Sequence, residues 1–331
     1  MRWMERTDPR TWLLTGVALA LAGVLLTVPA SAQTTAAQVV SEVRAAIDAR
    51  DLDRADAVFT KHRRERGETP EVIEALSWLG RGALAQGQLD RADRYAREAY
   101  QLAVRSLGTR SVDTEPRLAT AVGAAIEVQA QVYGQRNQRS DAVSFLRGQL
   151  ATYKNTSIHT RIQKNINLLS LEGQRAPAID RTEFIGPQPP TLDALKGKVV
   201  LLFFWAHWCP DCKAQAPIIS SLLDEYRAQG FTVIAPTQRF GYAAGGVTAG
   251  PAAELRYIQQ VRDTSYKFLV DLPVPVSEST YTAYGVSTTP TLVLVDRSGI
   301  VRMYHPGQLT KAALEQALRP LLAASSANVK R

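Results

Sequence analysis

The sequence predicts a multidomain protein, with an all-α helical-repeat domain followed by an α/β domain that has a central mixed sheet. Three observations predict this. Residues 37–171 place apolar residues at helical spacing and contain hardly any proline. Residues 172–191 then hold four prolines and two glycines, which ends the helical pattern near Glu172. Beyond them, apolar runs of strand length alternate with helical patterns, and 331 residues suffice for about two domains.

The N-terminal segment has the three parts of a secretory signal. An apolar run over 12–28 follows a basic lead and precedes the small-residue site Ala30-Ser31-Ala32. We predict a signal peptide over 1–32, cleaved after Ala32. Because the run approaches the length of a bilayer span, an uncleaved inner-membrane anchor is the alternative. Either way we expect the folded domains outside the cytoplasm, in the periplasm or otherwise exported.

The helical half, predicted over 33–172, contains an internal repeat. "DLDRADAVF" at 51–59 recurs at 88–96 as "QLDRADRYA", 37 residues later, and "NQRSDAVSFL" at 137–146 is a degenerate third copy. The small residues around the second copy resemble the close-packing positions of tetratricopeptide repeats: Gly80, Ala83, Gly87, Ala92, Ala96 and Ala99. This resemblance implies a protein or peptide partner on the domain. A plain helical bundle or a set of helical hairpins is the alternative.

The second half, predicted over 173–325 with a tail at 326–331, alternates strands and helices. "KVVLLFFWA" (198–206) and "FTVIAPT" (231–237) are runs typical of buried strands. "TLVLVDRSGIVRMYHPG" (291–307) predicts a hairpin that turns at Ser298-Gly299. Helices are predicted in the stretches that begin at Cys212, Pro251 and Thr310.

The only two cysteines, Cys209 and Cys212, are separated by two residues. A disulfide between them closes too short a loop to stabilise the fold much. A zinc site needs about four ligands, and beyond His207 the other histidines are isolated in sequence, so no metal is expected: His62, His159 and His305.

The strand-to-helix junction instead favours redox chemistry. It places Cys209 at a helix N-terminus, where free N–H groups and the helix dipole stabilise a thiolate, and Pro210 suits the first turn. We therefore expect an exposed, acidic Cys209 to attack disulfides and Cys212, one turn inward, to resolve the mixed disulfide. Asp211 opposes a second negative charge beside Cys209, which favours a reductant over a strong oxidant.

"GKVVLLFFWAHWCPDCKAQAP" at 197–217, with "GQRAP" upstream and "YGVSTTPTLVLVDRSGIV" downstream, resembles the TlpA/ResA-like branch of the thioredoxin family, and the resemblance covers most of 173–325. This resemblance implies a thiol-disulfide oxidoreductase that needs no cofactor beyond the redox-active disulfide. It also implies a disulfide-bearing client protein and an upstream thiol electron donor. Thr289-Pro290 stands at the family's cis-proline, beside which the substrate peptide pairs. Trp208 is a candidate docking residue, and Trp205 belongs either to that rim or to the core.

Two departures concern proton transfer. Gln215 and Phe203 stand where relatives carry carboxylates, so deprotonation of Cys212 is left to water, Lys213 or Asp211, and we expect slower exchange. We expect His207 to be a partly exposed neighbour that tunes Cys209. The glycine-rich segment 239–251 forms either a flap beside the site or a mobile surface loop.

Net charge and composition limit the other functions. The charge of +8 is scattered along helix-like stretches with no basic run interleaved with aromatics, so no nucleic-acid partner is expected. Membrane contact is expected only through an uncleaved N-terminal segment. Two alternatives to an exported reductase are a helical scaffold with an inactive redox domain and a peroxiredoxin-like peroxidase. The peroxidase alternative is disfavoured because peroxiredoxins rely on a threonine three residues before the reactive cysteine, and this chain has Ala206 at that position.

Overall fold

The computed structural model describes residues 30–324. The predicted signal segment therefore lies almost wholly outside the described residues, and the predicted tail at 326–331 lies entirely outside them. Within 30–324, no helix combines the length and the apolar character that crossing a membrane requires.

The N-terminal half is all-α, as the sequence predicts. Consecutive helices joined by short turns pack as the hairpins α1/α2, α3/α4 and α5/α6, and α7 packs against α5 and α6. The helices of this half within the described residues are α1 (Ala30–Asp48), α2 (Leu52–Arg66), α3 (Pro70–Ala85), α4 (Leu89–Leu107), α5 (Pro116–Gln135), α6 (Arg139–Thr152) and α7 (His159–Ser170).

Each copy of the repeat begins the second helix of a hairpin. The fourth residue of α2, α4 and α6 is an alanine that is fully buried, which lets the paired helices approach closely: Ala55, Ala92 and Ala142. Two residues before each of these helices, the backbone turns through the left-handed region, at Arg50, Gly87 and Asn137. The third copy follows at a longer interval for two reasons: α4 and α5, at 19 and 20 residues, exceed α2 and α3, at 15 and 16, and the connection over 108–115 is longer than the one over 67–69. The membership of these hairpins in the tetratricopeptide class stays a prediction.

The C-terminal half is a thioredoxin-like α/β domain around a mixed sheet of order β3-β2-β5-β6. Strand β2 pairs parallel with β3 and antiparallel with β5, and β5 pairs antiparallel with β6. The elements are β1 (Phe184–Ile185), β2 (Val199–Phe204), α8 (Pro210–Tyr226), β3 (Phe231–Ile234), α9 (Pro251–Ser265), β4 (Val274–Pro275), α10 (Glu278–Ala283), β5 (Thr291–Val295), β6 (Val301–Pro306) and α11 (Lys311–Ala323).

The sheet is covered on both faces, which explains why β2 is apolar without alternation. Val199, Leu201 and Phe203 pack in one cluster with residues of α8, α9 and α11. The intervening residues of β2 pack in a second cluster with Tyr281 and Tyr284, in and just after α10. The predicted strands, helices and hairpin are all present. The sequence patterns missed helix α10 and the two-residue strands β1 and β4, which pair only with each other.

The two halves are in direct contact through α7. The side-chain amide of Asn167 donates to the carbonyl of Ala283 at 3.3 Å. Just beyond, Gly285 adopts a φ of +62°, and a Cβ there would lie 2.4 Å from the backbone nitrogen of Lys164. Only a residue without a side chain permits this approach. Helix α7 is thus fixed against the segment that leads to Pro290.

Candidate active site

Cys209 is the N-cap of α8, and Pro210 is the first helical residue, as the sequence predicts. The Cys209 sulfur accepts the backbone N–H of Cys212 at 3.0 Å, so it occupies the position of a helix N-cap acceptor. The two cysteines form a disulfide with their Cα atoms 5.3 Å apart. A thiolate released at Cys209 would face both a free helical N–H and the positive end of the helix dipole.

The expectation of an exposed Cys209 is wrong for this oxidised form, in which the residue is 2% exposed. Its sulfur is bonded to Cys212 on one side and lies 3.5 Å from the carbonyl oxygen of Thr289 on another. The neighbouring Trp208 is exposed instead, at 46%. A large aromatic surface is therefore exposed directly beside the Cys209–Cys212 disulfide.

The Thr289–Pro290 peptide bond is cis, as the resemblance implies. Because the Thr289 carbonyl meets Cys209, the segment before Pro290 forms one wall beside the disulfide. Trp205 belongs to the core, since it is fully buried and donates its indole N–H to the carbonyl of Ala235 at 3.0 Å. Of the two aromatic candidates, only Trp208 is available to touch a client.

Gln215 is buried and has a structural contact. Its side-chain oxygen accepts the backbone N–H of Leu309 at 2.8 Å, which ties α8 to the segment before α11. Asp211 and Lys213 are exposed on the first turn of α8. Phe203 is buried in β2 and packs against the ring of Tyr266. Water, Lys213 and Asp211 are the candidates to assist deprotonation of Cys212, and the side chains of both Lys213 and Asp211 therefore face solvent.

The expectation that His207 is partly exposed is wrong, because the side chain is 1% exposed. Its ring meets those of Phe240, Tyr242 and Tyr257 edge to face, at centroid distances of 5.3–5.5 Å. Its Nε2 donates to the carboxylate of Glu254 at 3.3 Å. Burial lowers the pKa of His207, and the hydrogen bond to Glu254 opposes that shift only in part. A neutral imidazole therefore lies two residues before Cys209.

Glu254, in the first turn of α9, is the buried carboxylate that the sequence analysis missed. Besides the His207 N–H, its oxygens accept the backbone N–H groups of Phe240 at 2.5 Å and Gly241 at 3.0 Å. The residue is 1% exposed. A signal was present, because Glu254 shares one helical face with Ile258 and Val261, four and seven residues later. A carboxylate on the apolar face of a helix is buried with partners.

The glycine-rich segment 239–251 has a fixed base and an exposed tip. At its base, Phe240 is held by Glu254 and its ring lies 5.6 Å from that of Trp208, so this part stands beside the site as a flap would. An isolated bridge joins Tyr242 to Thr248, and Val247 at the tip is 67% exposed. His207, Glu254 and the base of this segment meet at one buried point behind Trp208.

Across residues 30–324, His, Cys, Asp and Glu side chains nowhere gather in a group of three or more that could hold a metal ion. The chemistry that this arrangement can supply is that of the two cysteines, with a neutral buried imidazole close to them.

Comparison with known protein families matches residues 171–318 to the Redoxin family. The chain is 30% identical over 148 residues to the thioredoxin-like protein YneN of Bacillus subtilis, a match that spans 44% of this chain and 78% of the relative. It is 29% identical over 126 residues to the thiol-disulfide oxidoreductase ResA of Halalkalibacterium halodurans, over 38% of this chain and 63% of the relative. The ResA of Geobacillus thermodenitrificans is 26% identical over 151 residues, with 45% of this chain and 77% of the relative covered.

Solved structures with a similar chain path include the exposed lipoprotein thioredoxin Etrx1 of Streptococcus pneumoniae. It is 28% identical, with 44% of this chain and all of that chain covered and a TM-score of 0.35. A thiol-disulfide isomerase of Corynebacterium glutamicum is 23% identical, with 46% and 98% covered and a TM-score of 0.39. Each of these matches covers less than half of this chain.

Proposed function

Because the chain belongs, through its C-terminal half, to the ResA/TlpA-like thiol-disulfide oxidoreductases, we propose that it is an exported reductase of client-protein disulfides. One observation carries the proposal: Cys209 caps α8, is bonded to Cys212 one turn into that helix, and meets the carbonyl that precedes the cis-proline. This arrangement supports a dithiol that exchanges with an external disulfide.

In the proposed reaction, the Cys209 thiolate of the reduced protein attacks one sulfur of the client disulfide. The client S–S bond breaks, its second sulfur leaves as a thiolate and takes up a proton, and a Cys209–client mixed disulfide forms. Cys212 then loses its proton and attacks the Cys209 sulfur, which releases the first client sulfur as a thiol. Two electrons and two protons pass to the client, and the protein ends as the Cys209–Cys212 disulfide. An upstream dithiol protein must reduce it before the next turnover.

Separate residues support the two further parts of the proposal, the reducing direction of the reaction and the export of the folded domains. Asp211 adds negative charge two residues from Cys209, which disfavours the thiolate and supports a reducing role. The apolar run over 12–28 and the Ala30-Ser31-Ala32 site support export of the folded domains. Fractionation of cells that express the full chain tests the second point, and a protein found in the cytoplasm would contradict it.

The chemistry is tested with a Cys212→Ser variant, purified from the exported fraction and exposed to disulfide-bearing proteins. Without Cys212 the mixed disulfide on Cys209 is not resolved, so covalent adducts should accumulate and should be released by a reducing agent. Cys209→Ser is the matched control, since it keeps one cysteine of the motif but removes the attacking sulfur, and it should capture nothing.

The wild-type protein, once reduced, should also reduce a small disulfide stoichiometrically. If Cys212→Ser captures no protein while its Cys209 still reacts with an alkylating agent, the oxidoreductase proposal fails. Equal capture by both variants would contradict the assignment of Cys209 as the attacking residue.

A further inference from the structure

A cleft of about 360 Å³ opens beside the disulfide, and both halves of the chain line it. From the redox domain come Trp208 and Thr289, the two residues that flank Cys209 by sequence and by contact. From the helical half come Ser157 and Thr160, at the turn into α7. The helical half therefore supplies one wall of the space next to the reactive sulfur.

A second cleft of about 490 Å³ continues the first across the helical half. The two share Ser157 and Ser287, so they adjoin along these residues, and we call the two adjoining clefts the trough. The far end of the trough reaches Asp113 and Pro116, where α5 begins. The lining of the trough therefore extends from the residues beside the disulfide to the first residue of α5.

The wall from the helical half is held in place. The backbone N–H of Ser157 donates to the carboxylate of Asp113 at 3.0 Å, which fixes the turn before α7. Helix α7 is in turn locked to the segment before Pro290 by the close approach of Gly285 to Lys164. The position of Ser157 relative to the disulfide is therefore part of the fold and does not depend on a flexible linker.

We propose that this trough is the client-recognition surface, and that the helical half selects an extended stretch of the client's polypeptide chain next to its reactive cysteine. The inference rests on the proposed reductase function and adds to it the residues that choose the substrate. It commits to a polypeptide over a small thiol because the trough runs from the disulfide well into the helical half.

The lining indicates the chemistry of that stretch. At the cysteine end it is aromatic, with Trp208, Phe240 and Tyr281, and suits an apolar side chain beside the client cysteine. Farther along it carries hydroxyl groups, which both donate to and accept from the backbone of an extended chain: Ser157, Thr160, Thr282 and Ser287.

The charges along the trough disfavour an acidic client segment. Glu278 is exposed in the lining of the first cleft, and Asp113 is exposed in the lining of the second. The one arginine in the lining, Arg161, is paired with Glu127 at 2.8 Å, a carboxylate that it shares with Lys164 at 3.5 Å. We therefore expect a neutral or basic segment to bind better than an acidic one.

The test compares two activated disulfides that release the same coloured thionitrobenzoate. One carries a ten-residue peptide with a central cysteine and lysines but no acidic residue, and the other carries mercaptoethanol. The reduced full chain is compared with Ser157→Trp, which fills the trough from the helical side. Ser144→Trp on α6 is the matched control, because Ser144 is also exposed but lies outside the trough. Loss of a good subsite should lower kcat/KM for the peptide at least about fivefold more than for mercaptoethanol.

A second measurement covers the case in which Ser157→Trp folds poorly. A photo-crosslinking benzoylphenylalanine replaces residue 157 or residue 144 in the Cys212→Ser background, and the peptide is first trapped on Cys209. Crosslinking from position 157 and not from 144 is the expected result.

Two results would overturn the inference: Ser157→Trp lowers both rates equally or neither rate, or the trapped peptide does not crosslink from position 157. If the wild-type protein reacts with neither disulfide, the proposed reductase function itself fails and the trough loses its role with it. If the wild-type protein reacts with both while Ser157→Trp shows no selective loss, the reductase stands and only the recognition surface is refuted.

Discussion

Replacing Glu254 with glutamine should loosen the base of segment 239–251 and destabilise the redox domain. The carboxylate accepts three donors, from His207, Phe240 and Gly241. A glutamine of the same shape keeps the oxygen that faces His207 and Phe240, but it turns an NH₂ group toward the N–H of Gly241. The site then loses one charge-assisted hydrogen bond and places the introduced NH₂ group, which is buried like the carboxylate it replaces, without an acceptor, while the two other bonds become neutral.

The expected loss follows from these contacts. The broken bond and unpaired donor cost about 2 kcal/mol, and the weakening of the other two bonds about 1 kcal/mol more. Removing a buried charge relieves a desolvation penalty, which works in the opposite direction. Because all three donors are already in place around the carboxylate, we expect the lost bonds to outweigh this relief. With this relief subtracted, we expect a net loss of about 2 kcal/mol, which corresponds to a fall in Tm of about 3 °C when both halves unfold as one unit.

The assay is thermal unfolding followed by tryptophan fluorescence, to which Trp78 of the helical half contributes beside Trp205 and Trp208, with amide hydrogen exchange at Phe240 and Gly241. Glu225→Gln is the matched control, since that carboxylate is 43% exposed in a 3.5 Å ion pair with Lys311, and its loss should change stability by less than about 0.5 kcal/mol. A change below about 1 kcal/mol for Glu254→Gln, or unchanged exchange at the two amides, would refute the reasoning.

Three further predictions concern pH, the contact between the halves and proton transfer. Because burial lowers the pKa of His207 below 6.5, the unfolded chain takes up a proton near pH 6.5 that the folded chain does not. The stability of the wild type should therefore fall as the pH decreases below about 6.5. In urea unfolding between about pH 7 and 5, the midpoint of His207→Asn should depend less on pH than the midpoint of the wild type. Equal pH dependence of the two midpoints would contradict the lowered pKa of His207. Gly285→Ala should cost about 3 kcal/mol, from its φ of +62° and its clash with α7, whereas Gly299→Ala, with φ +84° but nothing within 4 Å, should cost about 1 kcal/mol. Equal falls in Tm would show that α7 does not resist the added methyl. Gln215→Glu keeps an acceptor for the Leu309 N–H and adds a carboxylate that can take the proton of Cys212. The resolution of a Cys209 mixed disulfide, followed by stopped flow, should therefore accelerate about tenfold or more at neutral pH. An unchanged rate would exclude residue 215 as the position of the base.

The local parts of the fold were predictable, because short-range patterns determine them. The continuous apolar run at 198–206 predicts a strand buried on both faces, and the residues around Cys209 predict the start of a helix. The contacts between distant residues were not predictable. His207 and Glu254 are 47 residues apart and meet only because the loop after β2 and the first turn of α9 converge behind Trp208. The burial of His207 therefore had no local sequence signal.

The position of the trough was also not predictable from the sequence. Ser157 belongs to a half of the chain that has its own hydrophobic core, and nothing in its neighbourhood indicates proximity to a disulfide. Its place follows from the packing of α7 on residues 283–285, where the hydrogen bond from the Asn167 side chain to the Ala283 carbonyl and the absence of a side chain at Gly285 set the distance. Such packing depends on tertiary structure, which residue patterns within one helix do not encode.

The position of helix α7 between the two halves affects how the chain unfolds. Its apolar side, with Ile162 and Ile166, is part of the core of the helical half, while its polar side contacts residues 283–285 of the redox half. Opening either half removes a neighbour of the other, so the two should unfold as one cooperative unit. A fragment cut at the compositional boundary near Glu172 would leave the backbone around Ala283 and Gly285 open to water. A fragment that starts before His159 would keep that cover but would carry exposed isoleucines, so neither cut yields an independent domain with a complete surface.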